Sequence, residues 1–332
     1  MGEKDSITSK NKLRVLVIGC TRLTRRVITS VEKTNPIVGI VNLHPEEGML
    51  KSNYDTLSEF NKKNPDKFYM THDINDDETY NWVKDKEPDL IIQCGWSQIF
   101  KKRILSTPKL FCIGFHPAPL PVGRGAAVLN WMIIKNDNLA WGKVKDIEWG
   151  NTMFVMDEKT DTGDILDFEP FVIEGRDDIN TTYFKVYKSS VKMLERTLPL
   201  IESGNYKREL QDNSKATRFY KRKPSDGLIE FDWSAHKILN WVRALTTPYP
   251  GAFFEYKSKH IKLWRASIGH ASNDVKSQSG TIVEIKKGKG VNVKVNDSYT
   301  VWLEIISDAD DLECWADEWA IENNLKVGEI LI

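Results

Sequence analysis

A histidine stands where an apolar run gives way to a stiff loop, in Gly114-Phe115-His116-Pro117-Ala118-Pro119-Leu120-Pro121-Val122-Gly123-Arg124-Gly125. A titratable imidazole on proline- and glycine-stiffened backbone at the end of a strand suits general acid–base work. A hydrogen-bonded structural histidine is the alternative at such a position. Forty-five residues later, Asp161-Thr162-Gly163-Asp164 forms a second strand-linked loop. A carboxylate there can orient an imidazole and stabilise its charged form; taken alone, the same segment also fits an Asx-type turn. The four cysteines, Cys20, Cys94, Cys112 and Cys314, are scattered without a CxxC pair and read as inert thiols. With no Cys/His ligand cluster at characteristic spacing, no metal is expected.

The elements that must position these groups follow from the apolar runs. Leu13–Ile18, Ile37–Val41, Phe68–Met70, Leu90–Cys94 and Leu110–Phe115 are strand-like, and helical patterns at 23–33, 76–86 and 101–105 separate most of them. Apolar strands alternating with helices predict an α/β fold, a Rossmann-like mostly parallel sheet with helices on both faces. Ligands of such sheets bind beyond the carboxyl ends of the strands. That places Gly19-Cys20-Thr21, Gly95-Trp96-Ser97-Gln98 and Phe115-His116-Pro117 along one crevice. The first glycine does not extend to G-x-G-x-x-G, so a dinucleotide is unsupported. Downstream, the pattern gives a helix over 127–135, strands over 152–156 and 165–172, and a long helix over 182–203. A polar stretch follows, and beyond it closely spaced short strands predict a small β-barrel. The expected organisation is a disordered start (1–12), a catalytic domain (13–205), a linker (206–227) and a C-terminal OB-like domain (228–332).

Composition narrows the function. Lys+Arg and Asp+Glu are both 47, so there is no basic field of the kind that drives nucleic-acid binding. A hydrophobic share of 40% excludes a disordered chain. No run approaches a membrane-spanning length, and the first residues lack an apolar signal region, so a cytoplasmic protein with no membrane partner is expected.

Taken together, H-P-x-x-L-P-x-x-R-G-A-A (His116 to Ala127) and D-x-G-D-I (Asp161 to Ile165) resemble the formyltransferases that use N10-formyltetrahydrofolate. The Gly95-Trp96-Ser97-Gln98 strand end, the Pro248-Tyr249-Pro250-Gly251-Ala252-Phe253 turn and the closing Leu325-Lys326-Val327-Gly328-Glu329-Ile330-Leu331 fit the same family in the same order. The resemblance implies N10-formyltetrahydrofolate as formyl donor, His116 and Asp161 as catalytic residues, and a folate site at Gly95, Trp96, Ser97, Gln98, Ile99, Arg124, Gly125 and Asp164. It further implies a homodimer. Family members act on methionyl-tRNA or on nucleotide-linked amino sugars. The segment after the second strand, Asn42-Leu43-His44-Pro45-Glu46-Glu47-Gly48-Met49-Leu50, carries two acids where the tRNA enzymes carry a basic loop. Asp308, Asp310, Asp311, Glu313, Asp317 and Glu318 make the last part of the chain acidic. A nucleotide-linked amino sugar, a dTDP-4-amino-4,6-dideoxy sugar for cell-surface polysaccharide synthesis, is therefore the expected substrate. The alternatives are methionyl-tRNA formylation, or a folate- or nucleotide-sugar-binding protein with impaired catalysis. Arg22, Arg25, Lys221 and Arg222 are available as phosphate contacts, and Tyr220 and Trp233 as stacking groups, without being assigned.

There is one break in the pattern. The family's histidine is preceded two positions earlier by an asparagine that helps hold the formyl carbonyl, and here that position is Gly114. Losing one such donor can cost about 10²–10³ in rate. Gln98, Ser97 or Asn130 could take its place, backbone N–H groups and His116 could suffice, or the catalyst is weak. A second departure is the insertion-like stretch 143–150.

Overall fold

The computed structural model describes residues 12–135, 148–270, 277–308 and 310–331. Residues 1–11 of the expected disordered start and residues 143–147 of the insertion-like stretch lie outside them. The described chain folds into two compact units, the first built from 12–125, 148–172 and 185–218, the second from 126–135, 173–184 and 219–331.

In the first unit seven strands form one sheet: β1 (Val15–Ile18), β2 (Ile37–Leu43), β3 (Phe68–Thr71), β4 (Leu90–Gln93), β5 (Phe111–His116), β6 (Gly150–Val155) and β7 (Ile165–Pro170). Their order is β3-β2-β1-β4-β5-β6-β7, with β1 to β5 parallel and β6 antiparallel to both of its neighbours, β5 and β7. The Rossmann-like sheet read from the apolar runs is therefore present. The order reverses between β1 and β4, the switch point at which such sheets open a crevice.

β1 is buried along its whole length, and its alternating side chains show why. Val15 and Val17 pack with Val27 and Ile28 of helix α1 (Arg22–Val31) and with Met193 and Leu194. Leu16 and Ile18 face the opposite layer, with Val83 of helix α2 (Asp77–Asp85) and Ile104. A strand covered on both faces needs apolar residues at every position. Each such burial contributes roughly 1.5–3 kcal/mol. Gly19 ends the strand because a Cβ there would lie 2.1 Å from the Cys94 carbonyl. Thr24 seals the same approach: its hydroxyl donates to that carbonyl at 2.8 Å and accepts from the Thr21 N–H.

The second unit holds helix α3 (Val128–Ile134), the start of helix α4 (Ile179–Glu202), helix α5 (Ala235–Leu245) and helix α6 (Ala316–Glu322). It also holds an antiparallel sheet of β8 (Ala252–Tyr256), β9 (Lys259–Ile268), β10 (Ile282–Lys286), β11 (Gly290–Lys294), β12 (Thr300–Ser307) and β13 (Glu313–Trp315). The order is β8-β9-β12-β11-β10, with β13 on β12. Among the described residues no ladder joins β8 to β10, so the expected barrel is present as an antiparallel sheet. Trp319 of α6 packs its ring edge-on against Phe254 and Tyr256 of β8.

Cys20, Cys94 and Cys112 are buried. Burial pushes the Cys20 thiol up to about 11 and the other two up to about 12. A thiolate is the reactive form. Alkylation of the native protein at pH 8 is therefore expected to spare these three, with all four cysteines reacting only after denaturation, as counted by mass spectrometry.

Candidate active site

His116 is the last residue of β5 and is only 6% exposed. Its Nε2 lies 2.8 Å from the Gly123 carbonyl, which can only accept, so this nitrogen carries a proton and donates. Its Nδ1 faces Asp161 Oδ1 at 3.5 Å. The ring thus has an acceptor at each nitrogen. The loop that supplies Gly123 is pinned from two sides. Thr152 of β6, paired with His116 in the register, donates its hydroxyl to the Ala118 carbonyl at 2.6 Å and accepts the Leu120 N–H. Thr217 accepts the Gly123 N–H on its hydroxyl and the Arg124 N–H on its carbonyl.

Asp161 sits in the loop between β6 and β7 with φ +60, a left-handed conformation that aspartate tolerates better than most residues. Its Oδ2 accepts the Gly125 N–H at 2.8 Å, which leaves Oδ1 for the imidazole. Gly163 is required two residues on, because a Cβ there would lie 1.7 Å from the Val155 carbonyl. Thr162 donates to Asp157, and the Asp164 carbonyl accepts from Val155, continuing the sheet. In the D-x-G-D pattern, then, the first carboxylate meets the imidazole and the Gly125 N–H, while the Asp164 backbone continues the sheet.

Gln211 ties the two loops together. Its Nε2 donates to the carbonyls of Asp161 (3.1 Å) and Gly163 (2.6 Å), and its Oε1 accepts from Nε (3.1 Å) and Nη2 (2.7 Å) of Arg124. Arg124 Nη2 also donates to Asn213. The guanidinium is buried, and desolvation, followed by the neighbouring Arg218, lowers its pKa. Arg124, named with the expected folate site, spends its guanidinium on Gln211 and Asn213 in this structure. Gln211 was missed there, since it lies in the polar stretch 206–227 read as a linker. Through residue 218 that stretch belongs to the first unit, and Glu209 exchanges backbone hydrogen bonds with Ile165. Removing the Gln211 side chain leaves buried donors and acceptors unpaired, at about 1–3 kcal/mol. Gln211→Ala is expected to lose that much stability in urea unfolding and to lower kcat with little change in KM for the formyl donor.

The remaining expected site residues lie just after the neighbouring strand β4. Gly95 follows β4 with φ +68, and the Thr21 side chain fills the space a Cβ would need. Trp96 is 8% exposed with its indole Nε1 buried and unpartnered, and its carbonyl accepts from Gln93. Ser97 and Ile99 are exposed. Gln98 spends its amide inside the fold, accepting from the Ile74 N–H at 2.9 Å and donating to the His72 carbonyl at 2.6 Å. The structure therefore brings His116, Asp161, Gly125 and Arg124 into one hydrogen-bonded cluster. Gly95 to Ile99 leave the same end of the sheet from β4, which pairs with β5.

Position 114 has a physical reason to be glycine. A Cβ there would lie 2.9 and 3.0 Å from the Phe154 ring and 3.2 Å from Met156 Cγ. The space that an asparagine would enter is occupied by those two side chains. Asn130, weighed as a substitute, belongs to the second unit, where its Nδ2 donates to the Ala244 carbonyl at 2.7 Å. Gly114→Asn is accordingly expected to destabilise the protein by about 1–3 kcal/mol through overpacking, read from the urea midpoint.

Of the unassigned cations, Arg25 is paired with Asp55 and Glu59. Arg222 lies over the rings of Trp131 and Trp241, and Trp233 packs edge-on against Trp241. Among the described residues no helix is long and apolar enough to cross a membrane.

A mostly parallel sheet with a histidine–aspartate cluster beyond its strand ends admits several chemistries, and comparison with known proteins gives the family. The family model described as formyl transferase matches residues 12–198, and that of the formyl transferase C-terminal domain matches residues 221–324. The chain belongs to the formyl transferase family. A methionyl-tRNA formyltransferase of Halothermothrix orenii is 30% identical over 268 residues, 80% of this chain and 81% of that protein. HypX from Aquifex aeolicus, solved in complex with tetrahydrofolic acid, shares the fold with TM-score 0.64 at 18% identity, over 97% of this chain and 49% of that one. The N-formyltransferase from Helicobacter canadensis, in complex with folinic acid and dTDP-3-aminofucose, aligns with TM-score 0.62 at 15% identity, over 88% and 98%.

Proposed function

We propose that this enzyme transfers a formyl group from N10-formyltetrahydrofolate to the amine of a nucleotide-linked amino sugar. The observation that carries the reading is the His116–Asp161 pair at the end of β5, with Nδ1 facing the carboxylate and Nε2 on an exchangeable carbonyl. The donor supplies an activated formyl carbonyl. His116 takes the proton released as the amine attacks and returns one to the departing nitrogen. Asp161 fixes the ring and balances its positive charge while it is doubly protonated. For Nε2 to act, its hydrogen bond to Gly123 gives way and the ring carries its proton on Nδ1 instead, donating to Asp161, so that an unprotonated Nε2 accepts the amine's proton and then delivers it to the leaving nitrogen. Exposed backbone at Gly95, exposed Ser97 and Ile99, and a buried unpartnered indole N–H at Trp96 support this stretch as the site of a flat heteroaromatic ring.

Two observations support a small amine over tRNA. After β2 the chain forms a short helical turn, Pro45–Gly48, that carries Glu46 and Glu47 where phosphates would need cations. The last part of the chain presents Asp308, Asp310, Asp311 and Glu313. The Halothermothrix relative favours methionyl-tRNA as a second reading. Tetrahydrofolate release from N10-formyltetrahydrofolate, followed by absorbance with dTDP-, UDP- and GDP-linked amino sugars and with methionyl-tRNA, separates them. Turnover with a sugar nucleotide and none with tRNA is expected. Turnover with methionyl-tRNA alone overturns the proposal.

A further inference from the structure

β2 and β3 pair in parallel with Leu43 opposite Thr71, so the next residue of each strand, His44 and His72, emerges side by side. The His44 N–H donates to the Thr71 carbonyl at 2.9 Å and fixes that register to its end. The two imidazoles lie with centroids 4.3 Å apart and planes at 28°. Pro45 opens a helical turn that brings Glu46 back over His44, with Oε2 at 3.9 Å from Nδ1. That Nδ1 is buried and has no hydrogen-bond partner. One donor atom from each of His44, Glu46 and His72 lies within 4.8 Å of the other two. His72 in turn meets Glu47, whose Oε1 is 2.7 Å from Nδ1, which leaves Nε2 as its ligating nitrogen.

We propose that His44, Glu46 and His72 bind one divalent transition-metal ion of the zinc class, with Glu47 as the carboxylate that orients His72. Two imidazoles and one carboxylate are a ligand set suited to such ions and poor for Mg²⁺ or Ca²⁺, which favour oxygen donors. Tetrahedral zinc with ligands at about 2.0–2.1 Å needs donor atoms roughly 3.4 Å apart. Small rotations of these half-exposed side chains reach that spacing. A carboxylate on the far nitrogen of a ligating histidine fixes its tautomer and orientation, the part Glu47 is placed to play.

The site sits apart from the His116–Asp161 cluster and takes no role in proton transfer. It does connect to the loop after β4, because the His72 carbonyl accepts from Gln98. An ion here would fasten the ends of β2 and β3 and, through Gln98, the far end of the 95–99 loop.

The test is calorimetric titration of the full chain with Zn²⁺ alone, repeated with Co²⁺ for its visible absorption. The wild type is expected to bind one equivalent of Zn²⁺ saturably and to give Co²⁺ bands of a nitrogen–oxygen site. His44→Ala and His72→Ala are expected to abolish both signals. Glu47→Gln is expected to weaken Zn²⁺ about 10–100-fold, and His260→Ala, an exposed histidine elsewhere on the chain, to change nothing. All four variants alter half-exposed or exposed side chains, so retained circular dichroism spectra confirm their folding. Absence of saturable binding, or binding that survives both His44→Ala and His72→Ala, overturns the proposal.

Discussion

His116→Ala is expected to lower kcat/KM for formyl transfer by about 10²–10⁴-fold, the range that a positioned acid–base group supplies. Alanine also leaves the Gly123 carbonyl without its donor, so part of any loss could come from the loop. His116→Gln separates the two effects, since its amide can still donate to that carbonyl while being unable to move a proton. Equal loss in both variants assigns the effect to proton transfer. Full activity in His116→Gln would remove His116 from the chemistry and reduce it to a strut for the loop. The donor should still bind to both variants, as tryptophan fluorescence quenching by a folate analogue would show.

Asp161→Asn is expected to cost on the order of 10²–10⁴-fold in kcat, as for other buried carboxylates that orient a catalytic imidazole. Asparagine tolerates the left-handed backbone at this position and can still accept the Gly125 N–H, so the loop is preserved. What is lost is the negative charge facing Nδ1. Alanine would add backbone strain at φ +60 and confuse the two effects. A drop in kcat with an unchanged urea midpoint assigns the charge to catalysis; an unchanged kcat makes Asp161 a loop residue alone. Paired with His116→Gln, a double variant no worse than the worse single one would show the two acting as a unit.

The parts legible in the sequence were those set by local rules. β1, β4 and β5 are buried on both faces, so their sequences are unbroken apolar runs, and the crevice at their carboxyl ends followed from the topology they imply. The histidine and aspartate loops could be read because glycine and proline punctuate them. Gln211 could not, because its role depends on where the Asp161 and Gly163 carbonyls and the Arg124 guanidinium end up in space. A polar residue in a stretch without periodicity looks the same whether it faces water or a buried loop. Gly114 was legible as a departure but not in its reason, since the occupying ring comes from Phe154, forty residues away on an antiparallel strand. The acidic C-terminal segment also divides on inspection. Asp317 is buried and accepts the Gly288 N–H, so it is a turn-holding residue and no part of a surface field.

The way Gln211, Asn213 and Thr217 close the His116–Asp161 cluster has a bearing on how such enzymes can be cut and recombined. A fragment ending at residue 205 would carry the histidine and aspartate motifs, His116 and Asp161 included, yet it would lack the three side chains that hold the loops. It would be expected to fold its sheet and to turn over poorly. The first unit also omits 126–135 and 173–184, which are assigned to the second, so neither unit is a contiguous stretch of chain. Exchange of carboxyl-terminal modules between relatives is therefore tolerated best when the junction falls after Arg218 and the two interleaved segments travel with the incoming module.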